Sequence, residues 1–275
     1  MPAHHHADPP AAMPLLFVAA LTLVYGALAA RQRSRAGWNG WRAASFAAGS
    51  VVLALGLAPA YLPFAAGDLR RHMLQHLAIG MLAPIGWVMG APMTLLLRSI
   101  PAAPARAMMR VLRGRVLRVI ASPAAALLLE MGGMAALYFT PLYAQLTASP
   151  IGHYAMHVHF LAAGCLYCWV TAGPDPVPHR PSVGWRIIVL GIAIVSHSVI
   201  AQLLYAGMGV AVSAPPEQLR QGAELMYYGG DIAEILLACA LVTTWRPARG
   251  RVALAVGSEA RRRDRREDCP RTASG

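Results

Sequence analysis

The chain contains no lysine; all 24 of its basic residues are arginine. Charge of either sign is scarce as well. Soluble domains carry about a quarter charged residues, whereas here the share is 13% of 275 residues, against 57% hydrophobic ones. There is no glycine-rich loop of phosphate-binding spacing, no G-x-S-x-G elbow and no H-E-x-x-H pair. Nucleotide-driven transport by this chain alone is therefore not expected, nor is acyl transfer or zinc-protease chemistry, and nothing supports enzymatic turnover.

What the sequence has instead is apolar length. Runs near or above 18 residues recur, the mark of transmembrane helices rather than of one large core. Seven are expected, over residues 13–30, 44–66, 73–97, 120–139, 153–172, 185–208 and 225–244. This predicts an all-α polytopic membrane bundle (13–245), preceded by a His-containing outer tail (1–12) and followed by an Arg-rich tail (246–275).

The net charge of +12 is read as topology and not as a nucleic-acid footprint. Of the 24 arginines, 21 fall on alternate connections or in the tail, leaving Arg70, Arg71 and Arg220 on the other side. Basic residues of short loops stay cytoplasmic, which places the N-terminus outside and the C-terminus inside. The segment before the first run has no arginine and Arg31, Arg33 and Arg35 follow it, the reverse of a signal peptide, so it is expected to stay as an anchor. The tail, with Arg261–Arg263, is expected to be disordered and to touch anionic lipid. Cys165, Cys168 and Cys239 fall in the inner halves of spans and Cys269 in the tail, so no disulfide framework is implied.

Histidine is the residue out of place. His72 and His76 open the third run from the outer side. At 3.6 residues per turn they sit about 40° apart around the helix and about 6 Å apart along it. His153 and His157 repeat the spacing at the outer entry of the fifth run, while His159 points elsewhere and reads as structural. His197 lies near the middle of the sixth, and Asp231 enters the seventh with Tyr227 and Glu234 on its face. Ionisable groups inside a bilayer face the bundle interior, a cavity or one another.

Two His pairs with a carboxylate suit a transition metal, and Met73, Met156 and Met226 beside them tilt the choice toward copper, since thioether sulfur favours Cu(I). The metal candidates are His72, His76, His153, His157, Asp231 and His197, with His4–His6 as an outer capture point. Pro84, eight residues beyond His76, removes a backbone hydrogen bond and allows a kink. Glu130 either pairs with an arginine or carries protons. Cys165-Leu-Tyr-Cys168 is either helix packing or, with Cys239, a thiolate Cu(I) relay. Two other readings of the histidines stay open. One is a b-type cytochrome or reductase with haem between two helices, His76 and His157 being eligible. The other is a metal-free scaffold whose histidines bond neighbouring helices.

The pattern His72-Met-Leu-Gln-His-Leu, followed by A-P-x-x-x-x-x-G-A-P ending at Pro92, resembles the polytopic cytochrome c oxidase assembly factors of the CtaG type. Pro141-Leu-Tyr143, Ser149-Pro-Ile-Gly-His153, His157 through Gly164, Gly173-Pro-Asp-Pro176 and Gly222 through Asp231 are similar to its further motifs. The likeness runs over roughly residues 45–245. It implies a role in maturing a copper-containing terminal oxidase, with oxidase subunits and a periplasmic copper chaperone as partners. His72 and His76 match the first motif, and His153 and His157 the second. Tyr227 stands where many relatives have Trp; the Cys pair and His4–His6 are outside the pattern.

Overall fold

Proline and capping side chains punctuate this chain, and in the computed structural model they mark where each helix begins and ends. Residues 12–178 and 180–244 are described; His4–His6 of the outer tail, and the Arg-rich tail with Cys269, lie outside them. Among the described residues the secondary structure is helical. Helix α1 spans Ala12–Ala36 and α2 Gly40–Leu57, the latter capped by Asn39, which accepts from the Trp41 N–H. Asp68 caps α3 (Leu69–His76). A π-helical turn, Leu77–Leu82, joins α3 to α4 (Ala83–Met89), and α5 follows at Pro92–Ser99.

After α6 (Ala102–Leu112) and α7 (Arg115–Ile120), the Ser122-capped α8 (Pro123–Leu127) passes through a second π turn, Leu128–Gly132, into α9 (Gly133–Phe139). The short α10 (Leu142–Thr147) precedes α11 (Pro150–Thr171), capped by Ser149. The chain closes with α12 (Val183–Ala206), capped by Ser182, and α13 (Pro216–Thr244). Serine, asparagine and aspartate at these caps satisfy N–H groups that a helix start leaves bare, and proline in the first turn has none to lose.

Among the described residues, four helices are long and apolar enough to cross a membrane: Ala12–Arg35, Gly40–Leu57, Val183–Ala206 and Pro216–Thr244. Leu69–Met89 with Pro92–Ser99, bent by 40°, makes a fifth if counted as one span. The other two expected spans are helical but stand differently. Pro123–Phe139 is a shorter apolar helix, and α11, 22 residues long, is diluted by His153, His157 and His159.

Two boundaries differ from the sequence expectation. The second run ends at Leu57 rather than near 66, because Pro59 has no N–H to continue the ladder and opens a 3-10 turn, Pro59–Tyr61. The last helix begins at Pro216, well before its apolar stretch, since Glu217, Gln218, Arg220 and Gln221 are polar but good helix formers.

Lipid offers no hydrophobic reward for helix association, so small residues and close backbone approach do the work. Helix α2 crosses α4 at Gly49 and Gly86, where a Cβ on Gly86 would stand 2.6 Å from the Gly49 Cα. Ser45 Oγ donates across the crossing to Gly86 O at 3.0 Å. Helix α11 crosses the first π turn the same way: a Cβ on Gly164 would come within 1.9 Å of Gly80 O. Pro84 has no N–H to give that carbonyl four residues back, so the expected consequence of Pro84 is met by a π turn before it rather than by a sharp kink at it.

The sharp bend comes further on, at Ala91, whose φ of 53° is left-handed. Tyr25 Oη donates to Gly90 O at 2.6 Å, and its ring stacks on Phe46 at 3.9 Å. Buried apolar side chains gather in two main clusters. One holds Met73, Met134, Tyr138, Phe160, Leu204 and Met226; the other Val88, Tyr167, Cys168, Val189 and Leu237.

Candidate functional site

The histidines enter this interior from α3, α11 and α12. His72, His76, His157 and His197 are buried, while His153 and Asp231 are half-buried. His72 lies within electrostatic range of His76, His153 and His157. Its Nε2 is 3.2 Å from Tyr138 Oη, and that hydroxyl donates to Met73 Sδ at 3.4 Å. A tyrosine has one hydroxyl proton, so when it serves Met73 the imidazole Nε2 must carry its own hydrogen. Tyr143 closes over His72 edge-on at 4.9 Å. Burial pushes its hydroxyl up to about 12, which keeps it protonated.

One turn deeper, His76 faces His197 across the bundle, ring centroids 6.5 Å apart and planes 20° from parallel. Phe160 flanks His76 edge-on at 4.7 Å. His153 and His157 form their own pair at 4.7 Å. The sequence made His157 eligible to face His76 across a haem; the ring that stacks on His76 here is that of His197.

Glycine again sets the geometry. His197 is pressed onto α13 at Gly230, where a Cβ would fall 1.9 Å from its Cε1. This brings His197 Nδ1 to 3.9 Å from Glu234 Oε1, beyond hydrogen-bond length. The carboxylate that meets the imidazole is thus Glu234, one turn beyond Asp231. The i, i+3 spacing from Asp231 was the signal that could have singled it out. His159 lies outside this group, its ring across Gly133 of α9.

The chemistry of the site lies in what its polar atoms lack. Both ring nitrogens of His76, both of His197, Nε2 of His157 and both oxygens of Glu234 are buried without a hydrogen-bond partner. Leaving such a group unpaired costs roughly 1–3 kcal/mol, so the neighbouring His76, His197 and Glu234 call for a guest that accepts them together. Neutral imidazole nitrogens suit copper, zinc, iron or nickel, and the donor set fits a copper ion in that sense. The structure brings the ligands together as pairs: among the described residues, no three His, Cys, Asp or Glu side chains stand where one ion could be held by all of them. Of the cysteines, Cys168 is buried and Cys165 half-buried, while Cys239 is exposed, so the two ends of the expected thiolate relay differ in environment.

A polar lock that sequence reasoning did not assign holds the start of α5. The Asp175 carboxylate accepts from Met93 N–H at 3.0 Å and Thr94 N–H at 2.8 Å. Arg180 Nη2 donates to the carbonyls of Gly173 and Asp175 at 2.6 and 2.7 Å. This lock fixes the bend of the span that carries His72 and His76.

A family model described as the cytochrome c oxidase caa3 assembly factor (Caa3_CtaG) matches residues 23–248. Among curated proteins the chain is similar to an uncharacterized protein of Mycobacterium leprae. They are 26% identical over 262 residues, which is 87% of this chain and 40% of that protein. Uncharacterized proteins of Mycobacterium bovis and Mycobacterium tuberculosis are each 29% identical over 201 residues, 66% of this chain and 30% of theirs. The chain therefore spans less than half the length of these curated relatives. No solved structure matches.

Proposed function

This chain belongs to the cytochrome c oxidase caa3 assembly factor family, and from that premise we propose that it receives copper at its outer side and passes it to an assembling oxidase subunit. In this reading it is a seven-span protein of a bacterial cytoplasmic membrane, and its arginine distribution supports an N-terminus outside and a C-terminus inside. The two helices that fall short on length or apolarity cross as part of the bundle, where histidines face protein rather than lipid. The role is delivery, not turnover, and the copper is cargo.

The observation that carries the reading is the His76–His197 pair, buried, facing and unpartnered at all four ring nitrogens. Two imidazoles hold monovalent copper with coordination positions to spare. Such a site binds loosely enough for a ligand of the receiving protein to displace it step by step. His153 and His157, at the entry of α11, lie on the way in; a periplasmic copper chaperone is the matching donor. His72 is tied to Tyr138 and orients the entrance.

The haem alternative named His76 and His157; the ring that faces His76 is that of His197.

Metal analysis and a visible spectrum on detergent-purified protein, beside a His76→Ala/His197→Ala variant, test this. Copper bound by the wild type and lost in the variant, with no Soret band, is the expected result. A Soret band would move the reading to a cytochrome, and neither metal nor haem would leave a scaffold.

A further inference from the structure

Just beyond the histidine pair lies a cavity of about 20 Å³, lined by Met81 of the first π turn, Met131 of the second, Cys168 of α11, and the carboxylates of Glu130 and Glu234. A single water needs about 10–15 Å³, so the space takes one small guest. We propose that this cavity is a second metal station, binding a soft monovalent cation, Cu(I), through the thioethers of Met81 and Met131 with Cys168 beside them. The inference rests on the copper reading above and adds a place where the ion goes after the imidazoles.

Three observations converge on it. The first is softness. Three sulfur-bearing side chains from three different segments border one cavity, and thiolate and thioether ligands select Cu(I) over harder cations.

The second is charge. Glu130 is only 4% exposed and its Oε2 has no hydrogen-bond partner; both oxygens of Glu234 are likewise buried without a hydrogen bond, with His197 Nδ1 standing 3.9 Å from Oε1. Buried charges are tolerated when paired or when they coordinate metals. A cation between two carboxylates offsets what either alone would cost, whereas apolar packing would leave both unsatisfied.

The third is access. Gly80 lines the cavity, and a Cβ on it would stand 3.5 Å from His76 Nδ1. Glu234 lines it too, and stands 3.9 Å from His197 Nδ1. The imidazole pair and the sulfur cavity thus share two walls, which makes the two stations neighbours. Thioether ligands need no deprotonation, unlike thiols, so the transfer from neutral imidazole to methionine releases no proton. The π turns supply the opening. Each adds a residue to a helical turn, and the two that carry Met81 and Met131 border the same space.

The test uses the full chain in detergent, loaded anaerobically with Cu(I), and reads the metal's nearest ligands by X-ray absorption. Nitrogen and sulfur neighbours are expected in the wild type. In Met81→Leu/Met131→Leu the sulfur contribution should fall away while nitrogen-bound copper remains. Leucine conserves methionine's volume, so the fold should persist. If that variant does not fold, Met81→Leu and Met131→Leu singly must each lower the sulfur signal. A wild-type ion with nitrogen and oxygen neighbours only, or a sulfur signal unchanged in the variants, overturns the second station and leaves the copper reading standing. Wild-type protein that retains no Cu(I) overturns both.

Discussion

Thr94 and Asp175 are 81 residues apart in the chain, yet the Asp175 carboxylate accepts the backbone N–H of Thr94 at 2.8 Å and the Thr94 hydroxyl as well. This cap closes the N-terminus of α5 just past the left-handed residue Ala91, and so ties the Gly-Ala-Pro break of one span to the Pro-Asp-Pro turn after another. Losing a hydrogen bond to a charged group costs about 1.5–3 kcal/mol. Asp175→Ala should therefore lower the thermal midpoint of the detergent-purified protein, and Asp175→Asn less so. An unchanged midpoint in both would show that the bend is held by other contacts.

Gly230→Ala tests His197 without removing any candidate ligand. The added methyl would overlap the imidazole, so the ring must rotate away from His76 and Glu234. Bound copper should drop well below the wild-type level while helical content, read by circular dichroism, stays. Full copper retention would mean that the His76–His197 alignment is not what holds the ion.

Gly164→Ala addresses the crossing of α11 and the first π turn. Here the methyl meets backbone, Gly80 O, rather than a flexible side chain. Overpacking of this kind costs about 1–3 kcal/mol. A clear loss of thermal stability in detergent is expected, larger than for alanine at Gly184, which has open space beside it.

Tyr138→Phe removes the hydroxyl shared by His72 and Met73 at nearly constant volume. A net loss of about 1 kcal/mol is expected for one buried hydrogen bond, together with a change in the His72 ring resonances by nuclear magnetic resonance. His197 should be unaffected, and a shift there would contradict the separation of the two groups.

Asp68 gives the pH dependence. Arg70 Nη2 meets its carboxylate at 2.6 Å while the Arg70 N–H is capped by it, and the guanidinium hydrogen bonds hold the Asp68 carboxyl below its usual range. A depressed folded value means the stabilisation is complete above the unfolded carboxylate value, about 3.9, and is lost as pH falls through the folded one. Asp68→Asn should flatten the acid limb of the stability curve below about pH 4 and leave it unchanged near neutrality in shape. An acid limb as steep as the wild type's would rule Asp68 out as its source.

How much of this was legible in the sequence follows from the range of the forces involved. Apolar runs, prolines and capping residues act within a few positions of themselves. They put helix in each of the expected apolar runs, of which four, or five with the bent pair, are long and apolar enough to cross a membrane. They also put His72 and His76, and His153 and His157, on shared helix faces. What lies between helices was not legible. That His76 faces His197, that Glu234 reaches the imidazole, that Asp175 caps α5, and that Met81 and Met131 border one cavity are matters of rotation and depth. Those are set where backbones meet, at Gly49 with Gly86, Gly80 with Gly164 and Gly230 with His197. A glycine in an apolar run looks the same whether or not a partner presses on it; only the packed bundle says which ones do.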